Sequence, residues 1–319
     1  MKHNGYIDSP KTDVSIITIN WNTGELLERC LTSIVQNTAD IAYEIIVIDN
    51  NSKDDSFERT KDKLSAHGNI KWIKNYENLG CISYNRALLY CRGRYFLIIG
   101  PDTVFFPQAI ERMVEFLDNN KDAGAVTAKL LNQDRSPQNY YYRFWNLPMF
   151  FFNTKAGQTF DKMIFKGRFV RRYFGGDIDP SKVTVVDQPA LVCLMFRRDA
   201  ITEDYIIDDD FPFFFPDSDL CKRIYDNGYK IYLLPVAEVI HFQSYSYKQA
   251  DEDWKQREFR AGAIRYFKKY HRKKVLPLRV ILFLNGIAFL IFKRLPGSWS
   301  RRLRLFYLRR VNAWEDDQF

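Results

Sequence analysis

Two aspartates stand where predicted strands end, a position from which carboxylates can bind a cation or a polar ligand. Asp49 closes the apolar run EIIVID (44–49), and Asp102 follows YFLII (95–99) after one glycine and one proline. Because open parallel sheets bind ligands at the carboxyl ends of their strands, both side chains are candidate ligand contacts. Each also has a structural alternative. Asp49 could cap the following helix, and Asp102 could form a turn after Pro101.

A second group of carboxylates lies in the run PDSD at 216–219. A helical pattern begins here and continues to Gly228, and proline suits the first turn of a helix. On such a helix Asp217 and Asp219 are about 200° apart, so only one of them can face a substrate. A carboxylate placed there could accept a hydroxyl proton as a general base. The alternative is that Asp217 only caps the helix.

Nucleotide-binding loops of the two commonest kinds are absent from the sequence. Neither GxGxxG nor GxxxxGK[ST] occurs, so a nucleotide would have to be held another way. No CxxC pair occurs, and most of the five cysteines have apolar neighbours. Buried free thiols in a reducing compartment are therefore expected. The first thirteen residues contain no apolar stretch typical of a signal peptide.

The elements that must position these side chains alternate between strand and helix. This alternation predicts a mostly parallel sheet with right-handed crossovers, flanked by helices. Helical patterns end near residues 36, 67, 91 and 119. Strands are predicted at 14–19, 44–49, 70–74, 95–99, 124–128, 191–196 and 230–234.

Five segments in order resemble glycosyltransferase family 2. VSIITINWNTGELLERCLTSI is similar to the family's opening strand, Asn-aromatic-Asn turn and helix, and EIIVIDNNSKDDS is similar to its second element. ENLGCISYNRAL resembles the NLG segment, and LIIGPDT stands where the family has its metal-binding aspartate. FFPDSDLCKRIYDNGYKIYLLPVAEVIH resembles the segment with the base, its helix and a terminal histidine. The matches span about residues 14–242 and imply a GT-A fold, which is a Rossmann-like α/β fold.

The resemblance implies an inverting nucleotide-sugar transferase and a role for eight of its side chains. Asp217 aligns with the base that takes the proton of the acceptor hydroxyl. Asp102 would hold a divalent cation, Mg²⁺ or Mn²⁺. His241 would lie near that cation and the diphosphate, although a lone histidine can also be structural. Contacts with the nucleoside are expected from Asn20, Asn22, Asp49, Asn78 and Asn85.

Two departures from the family pattern raise a different hypothesis. Gly100 stands where the first aspartate of a DxD motif would be, and Pro216 replaces a glutamate that usually precedes the base. Asp102 alone would then serve the metal. The loss of both carboxylates motivates the alternative of a catalytically silent nucleotide-sugar-binding protein. A basic peripheral-membrane scaffold that binds no nucleotide is a further alternative.

Residues 132–182 interrupt the alternation of strands and helices, and residues 140–152 contain eight aromatics. These rings are expected either to pack over the core or to form an acceptor-side wall, since aromatic faces stack on sugars and lie against lipid.

Positive charge is concentrated near the end of the chain. Residues 255–310 hold 17 Lys or Arg against one acid, Glu258, whereas the whole chain has 47 basic and 39 acidic residues. A segment of this kind is expected to bind an anionic partner. No nucleic-acid-binding module is recognised, so an anionic membrane surface is expected rather than nucleic acid.

An apolar stretch, VLPLRVILFLNGIAFLIF (275–292), lies within this basic region. Arg279 and Asn285 interrupt it, and a charge-free run of thirteen residues is too short to cross about 30 Å of hydrocarbon. A helix in the plane of the interface is expected, with a core helix as the alternative. A basic helix is predicted before it at 248–272, and the basic run RRLRLFYLRR (301–310) follows it.

These expectations describe a GT-A catalytic domain at residues 1–245 and a basic, amphipathic helical segment at 246–319. By resemblance to a rhamnosyltransferase-like branch, the first-choice donor is dTDP-rhamnose, while UDP and GDP donors stay open. The first-choice acceptor is a lipid-linked glycan in cell-surface polysaccharide assembly. The protein is expected to be cytoplasmic and peripheral at the inner face of the cytoplasmic membrane. Its oligomeric state is left open.

Overall fold

The computed structural model describes residues 12–243 and 251–293. Within these ranges, no helix combines the length and the apolar character that crossing a membrane requires. The five cysteines are free thiols, and four of them are buried, as the sequence predicts.

The chain divides into two compact units that alternate along the sequence. Unit 1 comprises residues 1–144 and 174–263, and unit 2 comprises residues 145–173 and 264–319. The aromatic excursion predicted at 132–182 is therefore shared between the units. The predicted domain boundary between residues 245 and 246 lies outside the described residues.

The first half of unit 1 is a parallel sheet, as predicted. Four strands are hydrogen-bonded in the order β3-β2-β1-β4, and every neighbouring pair is parallel. A 3₁₀ turn at Gly80–Ser83 precedes a short helix after β3. The elements are β1 (Val14–Asn20), α1 (Leu26–Asn37), β2 (Tyr43–Asp49), α2 (Ser56–Lys63), β3 (Ile70–Lys74), α3 (Tyr84–Ala87) and β4 (Tyr95–Ile99).

The second half makes the sheet mixed, because β10 runs antiparallel to both β4 and β6 while β11 is parallel to β6. The order continues β4-β10-β6-β11-β5, with β8 also paired to β11, and β7 and β9 form a separate pair. The elements are β5 (Thr103–Phe105), α4 (Ala109–Asn119), β6 (Ala123–Leu131), β7 (Tyr141–Tyr142), β8 (Thr184–Val186), β9 (Gln188–Pro189), β10 (Cys193–Arg197), α8 (Pro216–Asp226) and β11 (Lys230–His241).

Helices cover both faces of this sheet, so its central strands are apolar on both sides. Ile16 of β1 belongs to a core layer shared with α1 and α4, whereas Ile17 belongs to a layer shared with α3 and α8. Burial on both faces explains why β2 and β4 read as continuous apolar runs.

Three of the differences from the sequence prediction have a clear physical reason. The helical pattern that ends near residue 91 shortens to α3, because its first turn is a 3₁₀ turn. β5 was not predicted, since three residues carry no periodic signal. β11 extends from the predicted 230–234 to His241, and its pairing with β6 shifts register between Leu234 and Glu238. Pro235 lies in this shift, where a missing N–H is tolerated.

Unit 2 is helical and aromatic. α5 (Leu147–Phe152) packs against α10 (Val275–Lys293). The ring of Phe150, in α5, also lies 5.3 Å from the ring of Phe267, which belongs to α9 (Glu252–Tyr270). Trp145, Phe150, Phe152 and Leu278 are buried, so packing accounts for much of the aromatic run. The helices predicted at 248–272 and 275–292 correspond to α9 and α10, while the run at 301–310 lies outside the described residues. The elements are α5 (Leu147–Phe152), α6 (Lys155–Phe160), a π-helical turn (Asp161–Phe165), α7 (Arg168–Tyr173), the end of α9 (Glu252–Tyr270) and α10 (Val275–Lys293).

Candidate active site

The turn after β2 is organised by the buried carboxylate of Asp49. Asp49 and Asn20 end neighbouring strands and are register partners. Asn20 Nδ2 donates to Asp49 Oδ1 at 2.9 Å, and the Ser52 amide donates to Asp49 Oδ2 at 3.0 Å. Asn20 Nδ2 also contacts the hydroxyl of Ser56 at 2.9 Å. Asp49 therefore shapes this turn and does not cap α2, whose N-cap is Asp55.

Asn22 joins the loop after β1 to the same turn. Its φ is +51°, its side-chain oxygen accepts from the Lys53 amide at 2.6 Å, and its own amide donates to Ser52 Oγ at 3.0 Å. Asp54, which the sequence reasoning did not single out, accepts from the Gly24 amide at 2.9 Å. Its signal was its place in the run NNSKDDS, a composition typical of polar turns.

Asn78 belongs to a second polar network, between the end of β2 and the NLG segment. Asn50 Nδ2 donates to Asn78 Oδ1 at 3.1 Å and to the Gly80 carbonyl at 3.0 Å. Asn50 Oδ1 in turn accepts from Asn75 Nδ2 at 2.8 Å and from Ser83 Oγ at 2.5 Å. Asn78 thus orders the loop after β3, and its contact with a nucleoside stays a prediction.

The NLG segment is fastened to the loop that precedes the predicted base. Gly80 has φ +59°, and an added Cβ would lie 2.2 Å from the Pro212 carbonyl oxygen, so glycine is needed there. The Cys81 amide donates to that same oxygen at 2.6 Å. Asn85 Oδ1 accepts from both amides of residues 206–207, at 2.9 and 2.8 Å. Asn85 therefore positions this loop, and its contact with a nucleoside also stays a prediction.

Asp102 and His241, the two predicted metal residues, lie side by side. Asp102 follows β4, and His241 ends β11, whose antiparallel pairing with β5 brings the two together. His241 Nε2 lies 3.5 Å from Asp102 Oδ2, and the side chains are only 5% and 13% exposed. The Phe242 amide also donates to the Asp102 carbonyl oxygen at 2.8 Å.

Gln138 orients this histidine, although no sequence signal singled it out. Its Nε2 atom donates to the His241 carbonyl oxygen at 2.8 Å and to Asn132 Oδ1 at 2.7 Å. These two acceptors set the orientation of the amide, so its oxygen faces His241 Nδ1 at 2.9 Å. Because a carbonyl oxygen cannot donate, Nδ1 carries the proton, and in the neutral ring Nε2 keeps its lone pair on the side of Asp102.

Asp217 lies in the first turn of α8, which begins at Pro216 as predicted. The N-cap is Phe215, so Asp217 is not the capping residue. Burial raises the pKa of the Asp217 carboxyl, and its hydrogen bond from the Ser218 amide, at 2.8 Å, offsets this rise in part. Among the described residues Asp217 forms no ion pair. A carboxylate of this kind can accept a proton.

Asp219 is instead neutralised inside the unit. It is buried, and its Oδ2 atom accepts from Arg223 Nε at 2.9 Å. Arg223 also contacts Glu203 at 3.2 Å. The pairing holds Asp219 inside the unit, and the assignment of Asp217 as the base stays a prediction.

The pKa values of Cys81 and Tyr84 are raised by burial and in part by the charges of Asp217 and Asp102. Burial raises the pKa of Cys81 to about 12, and Asp217 adds to that rise. Burial also raises the pKa of Tyr84, with smaller contributions from Cys81 and Asp102. The charges of Asp102 and Asp217 therefore both influence pKa values in the segment at residues 81–84 of unit 1.

Gly100 is closely packed against the aspartate that follows it. An added Cβ would lie 2.7 Å from Asp102 Oδ1, so a side chain there would displace this carboxylate. Within the part of the chain that the structure describes, no three His, Cys, Asp or Glu side chains are grouped as a metal site. Asp102 and His241 therefore lie together without a third side chain of these types, and their role as cation ligands stays a prediction.

The mixed sheet with helices on both faces is the GT-A fold. The mannosyltransferase PcManGT of Pyrobaculum calidifontis, solved with GDP-Man and Mn²⁺, matches with a TM-score of 0.57 at 16% identity, over 97% of this chain and 84% of its own. GalNAc-T7, solved with UDP, GalNAc and Mn²⁺, matches with a TM-score of 0.54 at 15% identity, over 72% of this chain and 43% of its own. At these identities the likeness concerns the fold.

The chain belongs to glycosyl transferase family 2, whose model matches residues 15–174, half of the chain. An uncharacterized glycosyltransferase of Methanocaldococcus jannaschii is 31% identical over 119 residues, 37% of this chain and 41% of the relative. Glycosyltransferase GlyG of Streptococcus pneumoniae is 28% identical over 131 residues, 40% of this chain and 42% of the relative. The chain thus spans about two fifths of the length of these curated relatives.

Proposed function

We propose that the chain is an inverting glycosyltransferase that moves a sugar from a nucleoside diphosphate donor to a hydroxyl group of an acceptor. The observation that carries the proposal is Asp217, a half-buried carboxylate with a raised pKa in the same unit as the Asp102–His241 pair. Inversion needs such a group, because the acceptor oxygen attacks the anomeric carbon from behind and loses its proton.

The Asp102–His241 pair suits a divalent cation that would bind the diphosphate of the sugar donor. In the neutral ring that Gln138 orients, His241 Nε2 is an acceptor, and it lies 3.5 Å from an Asp102 oxygen. Two acceptors this close are stabilised by positive charge, and this nitrogen and oxygen donor set suits Mn²⁺ or Mg²⁺. When bound, the cation would offset the charge that develops on the leaving diphosphate.

Asn20, Asn22, Asp49 and Asn78 are assigned to the nucleoside. Their hydrogen bonds hold the loops after β1, β2 and β3 at the carboxyl edge of the parallel strands, where open α/β sheets bind ligands. Asp49 and Asn20 are both fully buried, so their effect on the nucleobase is exerted through the loop that they order.

The finer assignment is dTDP-rhamnose as donor and a lipid-linked glycan as acceptor, in surface polysaccharide assembly. It rests on the sequence resemblance, and UDP and GDP donors are the alternatives to test beside it. Docking of unit 2 on the inner face of the cytoplasmic membrane would bring the enzyme to the membrane that carries a lipid-linked acceptor. An exposed apolar face of α10 supports this docking; its members are Leu276, Val280, Phe283 and Leu284.

The test compares Asp217→Asn with Asp226→Asn, an exposed aspartate on the same helix. Asp217→Asn should lower the rate of transfer by about 10²–10⁴ while leaving donor affinity nearly intact, because only the proton acceptor is removed. The control Asp226→Asn should keep both. Donors are first chosen by thermal shift of the full chain with UDP, dTDP and GDP sugars and Mn²⁺, since a ligand of the native state raises the melting temperature.

Two results would contradict the proposal. If Asp217→Asn retains more than about a tenth of the transfer rate, the base is another residue. If the wild-type chain binds a donor but neither transfers nor hydrolyses its sugar, the silent nucleotide-sugar-binding protein is the better description.

A further inference from the structure

A helical hairpin at residues 155–173, formed by α6, the π-helical turn and α7, has a defined shape within unit 2. Lys166 and Gly167, with φ of +55° and +76°, reverse the chain between its two arms. At the other end, Gly157 allows close packing on α5, because an added Cβ would lie 2.0 Å from the Phe151 carbonyl oxygen. The hairpin is thus a packed helical element and not an irregular loop.

Phenylalanine rings hold the two arms together. Phe152 of α5 stacks on Phe169 at 4.9 Å, and Phe165 meets Phe169 edge to face at 4.8 Å. Phe160 lies 5.9 Å from Phe165 and completes the cluster. Contacts of this kind stabilise a small element that has no sheet to pack against.

The tip of the hairpin is apolar and exposed. Met163 is 76% exposed and Ile164 is 58% exposed, and both lie in the π-helical turn. Phe160 and Phe169 also remain partly exposed beside them. Contiguous exposed apolar side chains mark an interaction surface more often than scattered ones do.

The charges around this tip have one sign. The hairpin contains six basic residues, and Asp161 is its single acid. Asp161 is fully buried and accepts from the amides of Phe169 and Val170 at 3.2 and 3.0 Å, so its carboxylate is turned inward and fastens the start of α7. The basic residues are Lys155, Lys162, Lys166, Arg168, Arg171 and Arg172.

An exposed apolar tip on a basic hairpin matches the interface of an anionic bilayer, where apolar side chains enter the acyl boundary and basic side chains meet the headgroups. A second copy of the chain would bring two basic surfaces together, and like charges repel. Nucleic acid would leave the exposed Met163 and Ile164 without an apolar environment.

We infer that the 155–173 hairpin inserts its Met163–Ile164 tip into the interface of an anionic membrane, so that unit 2 docks through two chain segments. The second segment is the exposed face of α10 described above. The inference rests on the proposed membrane docking of unit 2 and is independent of sugar transfer.

The first experiment measures partition of the full chain onto vesicles of phosphatidylcholine alone and of phosphatidylcholine with phosphatidylglycerol. The double variant Met163→Ser/Ile164→Ser should lower binding to the anionic vesicles about tenfold or more, because two large side chains no longer enter the acyl boundary. Val183→Ser/Val236→Ser, which changes exposed apolar residues of unit 1, is the matched control and should bind like wild type.

The second experiment places a tryptophan at the tip. Fluorescence of Met163→Trp should gain a blue-shifted component on anionic vesicles, and lipids brominated on their acyl chains should quench it. Val183→Trp should show neither effect. This readout does not depend on loss of binding, so a fold defect in a serine variant cannot imitate it.

The outcomes separate the hairpin from the rest of the proposal. If Phe283→Ser/Leu284→Ser lowers partition but Met163→Ser/Ile164→Ser does not, unit 2 docks through α10 alone and the inference is wrong. Binding of the wild type to neither vesicle would overturn both docking segments and leave the catalytic proposal untouched. Self-association that the hairpin variant abolishes, without any lipid effect, would assign the tip to a second copy instead.

Discussion

Units 1 and 2 differ in the sign of their charge and in what their polar groups contact. The described part of unit 1 has 24 basic and 34 acidic residues, a net charge of −10. The described part of unit 2 has 14 basic residues and one acid, which is buried. In unit 1, aspartate and asparagine side chains bond to one another and to loop amides. Unit 2 instead exposes both basic and apolar side chains.

The whole-chain charge of +8 conceals this difference. An acidic unit does not attract a nucleoside diphosphate through its overall field, so it must hold one by local donors and by a cation. A basic unit with apolar tips is attracted to anionic surfaces at long range and retained there by burial. The comparison therefore fits the two proposals, that unit 1 recognises a small ligand and that unit 2 recognises a membrane surface.

The largest effect is expected from a buried charge of unit 1. Arg223→Met leaves the buried Asp219 without its partner, which typically costs about 3–5 kcal/mol. The melting temperature should fall by about 10 °C. Arg172→Met, an exposed arginine of unit 2, is the control and should change it by no more than about 1–2 °C. Melting temperatures are measured by circular dichroism. If Arg223→Met and Arg172→Met lower the melting temperature equally, the two units do not differ in this respect.

The next effect concerns the metal residues. Asp102→Ala should weaken nucleoside diphosphate binding about 100-fold in Mn²⁺ and much less without it, since the cation loses its carboxylate. Asp49→Asn should weaken binding equally in both conditions, because it disturbs the nucleoside loop. Isothermal titration calorimetry with and without Mn²⁺ measures both. Equal losses for Asp102→Ala in the two conditions would argue against its metal role.

Gln138→Leu should have a smaller effect of the same kind. Without the amide oxygen, the His241 ring loses the acceptor for its Nδ1 proton, and loss of such an orienting partner lowers metal affinity about 10–100-fold. Mn²⁺ affinity, followed by electron paramagnetic resonance, should fall while metal-free nucleotide binding is retained. Gln158→Leu in unit 2 is the control. If Gln138→Leu leaves the Mn²⁺ affinity unchanged, Gln138 does not position His241 for metal binding.

The smallest effect is on stability and depends on pH. The raised pKa of Asp217 means that the folded chain binds this proton more tightly than the unfolded chain, so stability is lost as pH rises from about 4 through the folded-state pKa. Asp217→Asn removes this loss. Its melting temperature should exceed that of wild type by about 1–3 °C at neutral pH, with the gap closing in acid.

Asp226→Asn, which changes an exposed aspartate, should show no such pH-dependent gap in calorimetry. A variant Asp217→Asn less stable than wild type at neutral pH would mean that the charged form of this carboxylate is stabilised in the fold, contrary to its use as a base.

Much of unit 1 was predictable because its signals are local. Apolar runs that end in Asp49 and Ile99 give strands, and the proline at 216 marks the start of α8. The family motifs singled out Asp102, His241 and Asp217; the structure places Asp102 beside His241, and the roles of all three stay predictions. Unit 2 was predictable in composition, since its basic and aromatic character is visible in the chain, but its division between residues 145–173 and 264–319 was not.

What the sequence by itself determined is therefore the strand and helix content of the parallel half, the free cysteines, the family and the separation of charge, because each depends on neighbouring residues or on composition. Tertiary structure alone decided that Gln138 orients His241, that Asn85 holds the loop at 206–207, and that Asp219 is paired with Arg223. The first two join residues more than a hundred positions apart. The pairing of Asp219 with Arg223 depends on which face of α8 is buried, and helical periodicity alone does not predict that face.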